Sequence, residues 1–568
     1  MQLTMLAFAL QLHVAGMAPA PASPQARPDP DSQRVLERAR GAQARFERNR
    51  RGMLPWTSRS DSRCDARIGR FCWWYDGASA AVPKEPEEIS RRRDELLAEL
   101  DSLGRRLPSD PWLAGVRVYY HVEARRPTRA DSVARQCRGR AWACGVLFAY
   151  AAQARGDYAG ADSAYGAALA LMPDTLRCAW RDITTLLPGD ARGRYEKLSC
   201  EERVPVEERY WVLSAPRLAA RANEWRVEYY GRRFVTTLLK GATTPYRLAW
   251  GDDEAEINLR YGWPVGWSRV QPTVSMGEEP SIVGHDAMPS FPFSPREELL
   301  DSLASAGDDA WDLADRQAPS RVALPFVRRV VPVQSQLARF QRGDSTLLVA
   351  AYRADDDSLR APLVALAAAR ADGHVFTTTP DSLAGRAGHL RLSIAGAPLL
   401  AGVELSDTST GTLARSRQLW APRRDPARTQ LSDLLVFHFR DEPPSELDSA
   451  VTGAVRGEVV SRNEPLGVYW ETYGVAGDGD QMSTEVTLER IDHGFFRSAR
   501  QRLGLTDPDS PLRIRWSEAR AAVDGIASRA ISLDLTSLAG GRYRVTLSLT
   551  PGGKPAIVST REIEITER

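Results

Sequence analysis

Near Val322 the hydrophobic period of this chain changes from the three- and four-residue spacing of helices to alternation, and that change limits what each half can fold into. After it, residues 346–353, 390–394, 434–439, 467–473, 484–491, 512–516 and 542–549 carry β-branched, aromatic and leucine side chains in the pattern of strands. Turn signals such as Asp478-Gly479-Asp480 and Leu538-Ala539-Gly540-Gly541 separate them. Two consecutive β-sandwiches, 322–443 and 446–568, are the simplest expectation.

Before Val322 the chain reads as helices. Leu96, Leu97 and Leu100 share one helical face, and Pro108 to Trp112 supplies a stop and a restart. Residues 31–51 place Val35, Leu36, Ala39, Ala42 and Phe46 at helical spacing with mixed charge around them, which predicts a packed helix with a solvated face. From Trp142 to Pro173, the turn Gly156-Asp157-Tyr158 and the series Ala161, Tyr165, Ala168 resemble one tetratricopeptide repeat, preceded by a degenerate unit from Trp112 to Gln136. Stacked units of that kind leave a concave face suited to a peptide or protein segment.

A chain of 568 residues exceeds one hydrophobic core. Its 75 Lys plus Arg nearly balance 73 Asp plus Glu, for a net charge of +2, so no global field favours nucleic acid. The first residues form a short apolar run ending at Ala20-Pro21-Ala22, which predicts a signal peptide over 1–22, although its start lacks Lys or Arg. No other stretch is long and apolar enough to span a membrane. All six cysteines, Cys64, Cys72, Cys137, Cys144, Cys178 and Cys200, lie in the first 200 residues with spacing unlike that of zinc sites. Disulfides are expected, with Cys64 to Cys72, Cys137 to Cys144 and Cys178 to Cys200 as the local pairing among 15 connectivities. Export to the periplasm or medium follows from the leader and the disulfides together.

Between the halves, residues 221–267 join an arginine-rich amphipathic helix to an acidic turn and an Arg-Tyr-Gly-Trp-Pro segment. Asn223, Glu224, Arg226, Tyr230, Arg233 and Phe234, then Trp250, Gly251, Asp252 and Asp253, then Glu256, Arg260, Tyr261, Gly262 and Pro264 follow one another in an order that resembles the core of the GWxTD-domain proteins. The namesake motif is altered, because Trp250-Gly251-Asp252-Asp253 stands where Gly-Trp-x-Thr-Asp is expected. The resemblance implies a divergent member of a bacterial family without an established activity, and a helix, turn and strand at this point. It extends to the last hairpin, which looks like the end of the Ig-like modules that close many such proteins. Arg226, Arg232 and Arg233 are expected to latch onto Asp252, Asp253, Glu254 and Glu256, while Trp250, Trp263 and Trp267 supply apolar area.

The predicted organisation is a multidomain α+β chain: leader 1–22, helical and cysteine-containing segment 23–85, TPR-like repeats 86–205, GWxTD-like core 206–270, linker 271–321 and the two sandwiches. Ser281, His285 and Asp286 lie together in the linker without a nucleophile elbow, and a hydrolase triad is not expected there. His374, His389, His438 and His493 are scattered; no metal or cofactor is expected, a calcium site on the acidic turn being disfavoured by its arginines. The expected function is a non-catalytic interaction or scaffold protein of the cell envelope with a protein or peptide partner. The alternative is a hydrolase with Asp252, Asp253 or Glu256 as acid or base and Arg260 as anion clamp.

Overall fold

The structure is a computed structural model that describes residues 29–57, 65–74, 82–271, 280–301, 311–420, 429–474, 481–492, 511–519, 525–551 and 555–567. The expected leader, Cys64 and His493 lie outside these residues. The fold is mixed α+β, with helices up to Tyr261 and sheets dominating after Arg329.

Local chemistry sets the helix boundaries. The helix Glu87–Arg106 stops before Pro108, and Pro111–Glu123 restarts with Pro111 at its first turn and Asp110 accepting from the Leu113 N–H at 2.7 Å. The expected hairpin is present as Ala141–Ala154 and Tyr158–Ala170, with Ala161, Tyr165 and Ala168 buried. Gly156 makes the turn in a left-handed conformation, φ 81°, and Asp157 caps the second helix at the Gly160 N–H. A Cβ on Gly145 would lie 3.2 Å from that of Ala168, so small residues set how closely these helices approach. The helix Pro30–Met53 buries Val35, Ala39, Ala42 and Phe46 as its spacing predicts. It also buries Glu47 and Arg50, which join Glu123, Arg93 and Tyr120 in an internal polar network. The carboxyl of Glu47 is raised to about 7, chiefly by burial.

The strands form four principal sheets. Sheet I has the order Arg329–Pro332, Thr412–Arg415, Leu400–Asp407, Leu363–Ala369, Val375–Thr377. Sheet II is Ala387–Ala395, Ser345–Arg353, Gln334–Arg342. Sheet III places Leu466–Tyr473 between Ile526–Leu533 on one edge and Gln430–Leu431 with Leu435–His438 on the other. Sheet IV is Val459–Ser461, Ile557–Thr566, Gly541–Pro551, Gln481–Arg490, Leu512–Ala519. Leu435–His438 precedes the expected division at 443 but pairs with Leu466–Tyr473, so the break between sheet pairs falls before Gln430. Alternation marks a strand and leaves its partner unspecified.

Face alternation explains how the sheets stack. In Ser345–Arg353, Leu348, Ala350 and Tyr352 face sheet I, while Val349 and Ala351 face sheet III. In Leu363–Ala369, Val364, Leu366 and Ala368 face sheet II, while Ala367 and Ala369 join the core of the helical half. Sheets III and IV share a further core around Trp470, Val486 and Leu547. The order is therefore helices, I, II, III, IV, and the inner sheets are covered on both faces. Their strands are correspondingly apolar throughout, as in residues 347–352.

Polar stitches cross the junction of sheets II and III. The buried Gln336 side chain donates to the carbonyls of Val436 (2.9 Å) and Val455 (2.8 Å) and accepts from the Val436 N–H (2.7 Å). Arg339 holds Asp433 at 2.9 and 3.0 Å, and Arg342 holds Glu471 at 2.6 and 2.9 Å. Replacing Gln336 with alanine is expected to lower unfolding free energy by about 2–4 kcal/mol, because the Val436 N–H and the Val455 carbonyl lose the side chain as partner and the Val436 carbonyl is left with the Val455 N–H. Urea denaturation of the two chains would measure the difference, and a loss under about 1 kcal/mol would show that the stitch is dispensable.

The expected linker is not a bare connector. Ser281–His285 pairs antiparallel with Gly266–Val270, Phe291 bridges Val322, and Phe293, Leu299, Leu300 and Trp311 enter the helical core. Its prolines mask a packing role carried by aromatic and leucine side chains. Disulfides join Cys137 to Cys144 and Cys178 to Cys200 at Cα separations of 5.6 and 5.8 Å, and Cys72 is also disulfide-bonded. They fit a chain that leaves the reducing cytosol. No described helix is long and apolar enough to cross a membrane.

Candidate functional site

Two helices organise the segment singled out by its sequence. In Glu224–Leu239, Asn223 caps the start by accepting from the Arg226 N–H at 3.0 Å. Glu224 is buried against Arg217 and is raised to about 7 by burial. The second element, Asp252–Tyr261, is a helix where a turn leading into a strand was expected; the strand Gly266–Val270 comes later. Acidic residues in a first turn complement the helix dipole, which accounts for the run Asp252, Asp253, Glu254.

The expected latch has different partners. Arg226 pairs with Asp162 at 2.7 Å, and Arg233 donates to the Tyr229 hydroxyl and the Asp182 carbonyl. Arg232, fully enclosed, donates to the carbonyls of Leu259 (3.2 Å), Arg260 (2.9 Å) and Arg321 (3.0 Å), closing the end of the second helix. Gly262 follows at φ 95°, where a Cβ would press on that guanidinium at 3.4 Å. The change from turn to helix explains the difference, since it turns the acidic end away from the arginines.

Of the four alternative catalytic residues, Asp252 is exposed and Asp253 is held by Arg70 at 2.7 Å. The Arg70 guanidinium holds the Asp253 carboxyl well below the usual carboxylate range. Glu256 and Arg260 pair with each other at 3.3 Å, one helical turn apart. Glu254, which belonged only to the expected latch, is fully buried, and neither oxygen has a well-formed hydrogen bond among the described residues. Burial raises it to about 7, with partial relief from the nearby Thr244 hydroxyl. Trp250 lies 6.3 Å from Trp263, Tyr261 stacks on Trp73 at 4.1 Å, and Pro264 packs beside Gly284.

These residues stand behind a cleft of about 960 Å³. Its walls are the end of Pro30–Met53 with Arg48 and Arg51, the hairpin Ala66–Ile68/Phe71–Trp73 with Arg67 and Arg70, the loop Tyr246–Leu248, and Arg269 with Pro280–Asp286. None of Asp252, Asp253, Glu256 and Arg260 lines it, although Asp253 positions Arg70 and Tyr261 supports Trp73. The six arginines face one lining carboxylate, Asp286. Arg51 is held below its ordinary value by burial and by the charges of Arg247 and Arg48. Arg48 and Arg67 are exposed and make no ion pair among the described residues. Arg247 adopts a left-handed conformation at φ 64°, uncommon for a side chain of its size.

His285 meets the buried Ser268 hydroxyl at 2.8 Å and not Ser281. Ser268 does not line the cleft and also meets the Thr57 hydroxyl at 2.8 Å, so this pair is a structural bond. Among the described residues no group of three or more His, Cys, Asp or Glu side chains is placed to hold a metal ion. The sequence does not announce the cleft, because its arginines come from segments as far apart as Arg48 and Arg269. The usable signals were the arginines closing residues 45–51 and the cluster Phe71-Cys72-Trp73-Trp74.

No family model matches the chain, and no curated protein matches it. Among solved structures, a transglutaminase of red sea bream is similar at 14% identity over 41% of this chain and 32% of that one, with a TM-score of 0.14. A likeness that slight carries no argument about fold or activity.

Proposed function

We propose that this chain is an exported, non-catalytic interaction or scaffold protein of the cell envelope that binds a protein partner. In this reading it is a divergent relative of the GWxTD-domain proteins, with TPR-like helical hairpins and Ig-like sheet pairs. The observation that carries it is the arginine and aromatic cleft, whose lining sets six arginines against one carboxylate. The hydrolase alternative has less behind it, because Asp253, Glu256 and Arg260 are engaged in ion pairs and none of the three lines the cleft.

Cross-linked capture from the native envelope, comparing the unaltered chain with an Arg48→Glu/Arg67→Glu variant, tests this reading. One partner recovered by the former and depleted at least fivefold by the latter is the expected result. Equal recovery would move the interaction away from the cleft, and hydrolytic turnover abolished by Glu256→Gln would replace the reading with the enzymatic one.

A further inference from the structure

We infer that the cleft receives an extended acidic peptide segment of the partner, laid along the strand Ser281–His285. The inference rests on the interaction reading and adds the chemistry of what is bound. Seven consecutive residues, Pro280 to Asp286, line the cleft, so the cavity follows the strand along its length. Among the described residues this strand pairs only with Gly266–Val270. An edge of five residues extends about 17 Å, enough for about five residues of an added strand. Such an addition satisfies main-chain donors and acceptors without demanding a particular sequence.

Charge selects the occupant. Guanidinium groups form bidentate, charge-assisted hydrogen bonds with carboxylates, and Arg48 and Arg67 are placed to make them without giving up an ion pair among the described residues. The crowding of Arg51 by Arg48 and Arg247 is relieved when carboxylates enter. Side chains of alternate peptide residues can then rest on the aromatic and aliphatic wall of Trp74, Tyr246 and Leu248. The bound segment therefore has carboxylates alternating with apolar residues.

Fluorescence anisotropy of the full chain with a labelled octapeptide of alternating Glu and Val tests this directly. Its Gln analogue, an N-methylated Glu analogue and inorganic pyrophosphate are the comparison probes. The Glu peptide is expected to bind, with at least tenfold weaker binding for the Gln and N-methylated peptides. Arg48→Glu/Arg67→Glu should weaken it at least tenfold, and raising the salt should weaken it further. Both positions are exposed, and unchanged thermal unfolding of the variant would confirm that folding is intact. Equal binding of the Gln peptide overturns the charge argument. Undiminished binding of the N-methylated peptide overturns strand addition, and binding of pyrophosphate without the Glu peptide assigns the cleft to a small anion. If the peptide is ignored while envelope capture still depends on Arg48 and Arg67, only the peptide chemistry fails. If capture finds no cleft-dependent partner, the interaction reading fails as well.

Discussion

Glu404→Ala is expected to cost about 3–5 kcal/mol of folding stability, because it strands the charge of Arg417 in the interior. Glu404 and Arg417 are 3% and 2% exposed and meet at 2.6 Å. Glu404 also accepts from the N–H groups of Leu218 (2.6 Å) and Ala219 (2.9 Å), so it ties sheet I to the segment just before the Asn223 cap. Arg415 reaches the same segment through the carbonyls of Ala215 and Pro216, each at 3.2 Å. Removing the carboxylate leaves the Arg417 guanidinium on the carbonyls of Ser416 and Pro216 without its counter-charge, and deprives two N–H groups of their acceptor. Pairing Glu404→Leu with Arg417→Met should recover part of the loss, since an apolar pair avoids the unpaired charge. Chemical denaturation of the single and double variants measures both effects, and a single-variant loss below about 1 kcal/mol would contradict the account.

Glu254→Gln should act in the opposite direction, stabilising the chain by about 2–3 kcal/mol at pH 7.5 or above. An unfolded glutamate releases its proton near 4.5, whereas folded Glu254 holds its own until about 7. Between those values the folded state carries a proton that the unfolded state has lost, so stability falls as pH rises through the window. The penalty is complete above about 7. Glutamine has nearly the same shape and no charge to desolvate, so the variant should lose this part of the slope. Glu47 and Glu224, also raised to about 7, keep theirs, so the variant's profile should be flatter without becoming level. Unfolding free energies at pH 5, 6, 7 and 8 would show it; parallel profiles for the two chains would place the proton elsewhere.

Local pattern made much of the architecture legible. Pro108 and Pro111 marked a helix break, Ala161, Tyr165 and Ala168 marked a buried face, and alternation located the strands. Partnership was harder to read. Residues 434–439 look alike whichever sheet they join, and their place beside Leu466–Tyr473 depends on contacts far along the chain. Residues 272–295 read as a connector because Pro, Ser and Gly are frequent there, while Phe293 and, further on, Trp311 anchor the described part of 271–321 in the helical core. The same limit applies to the site: carboxylates are concentrated at 252–256, yet the cleft arginines stand on four separated segments. Asp253 connects the two views, since its visible charge holds a cleft residue in place.

The doubly covered sheets have a geometric consequence. Stacked sheets keep a spacing of about 10 Å, so the three intervals from sheet I to sheet IV set a span on the order of 30 Å. Stitches such as Gln336 and Arg339 resist sliding at the middle interval. The stack thus fixes the distance between the helical end and the outermost sheet, as along a rigid gauge rod.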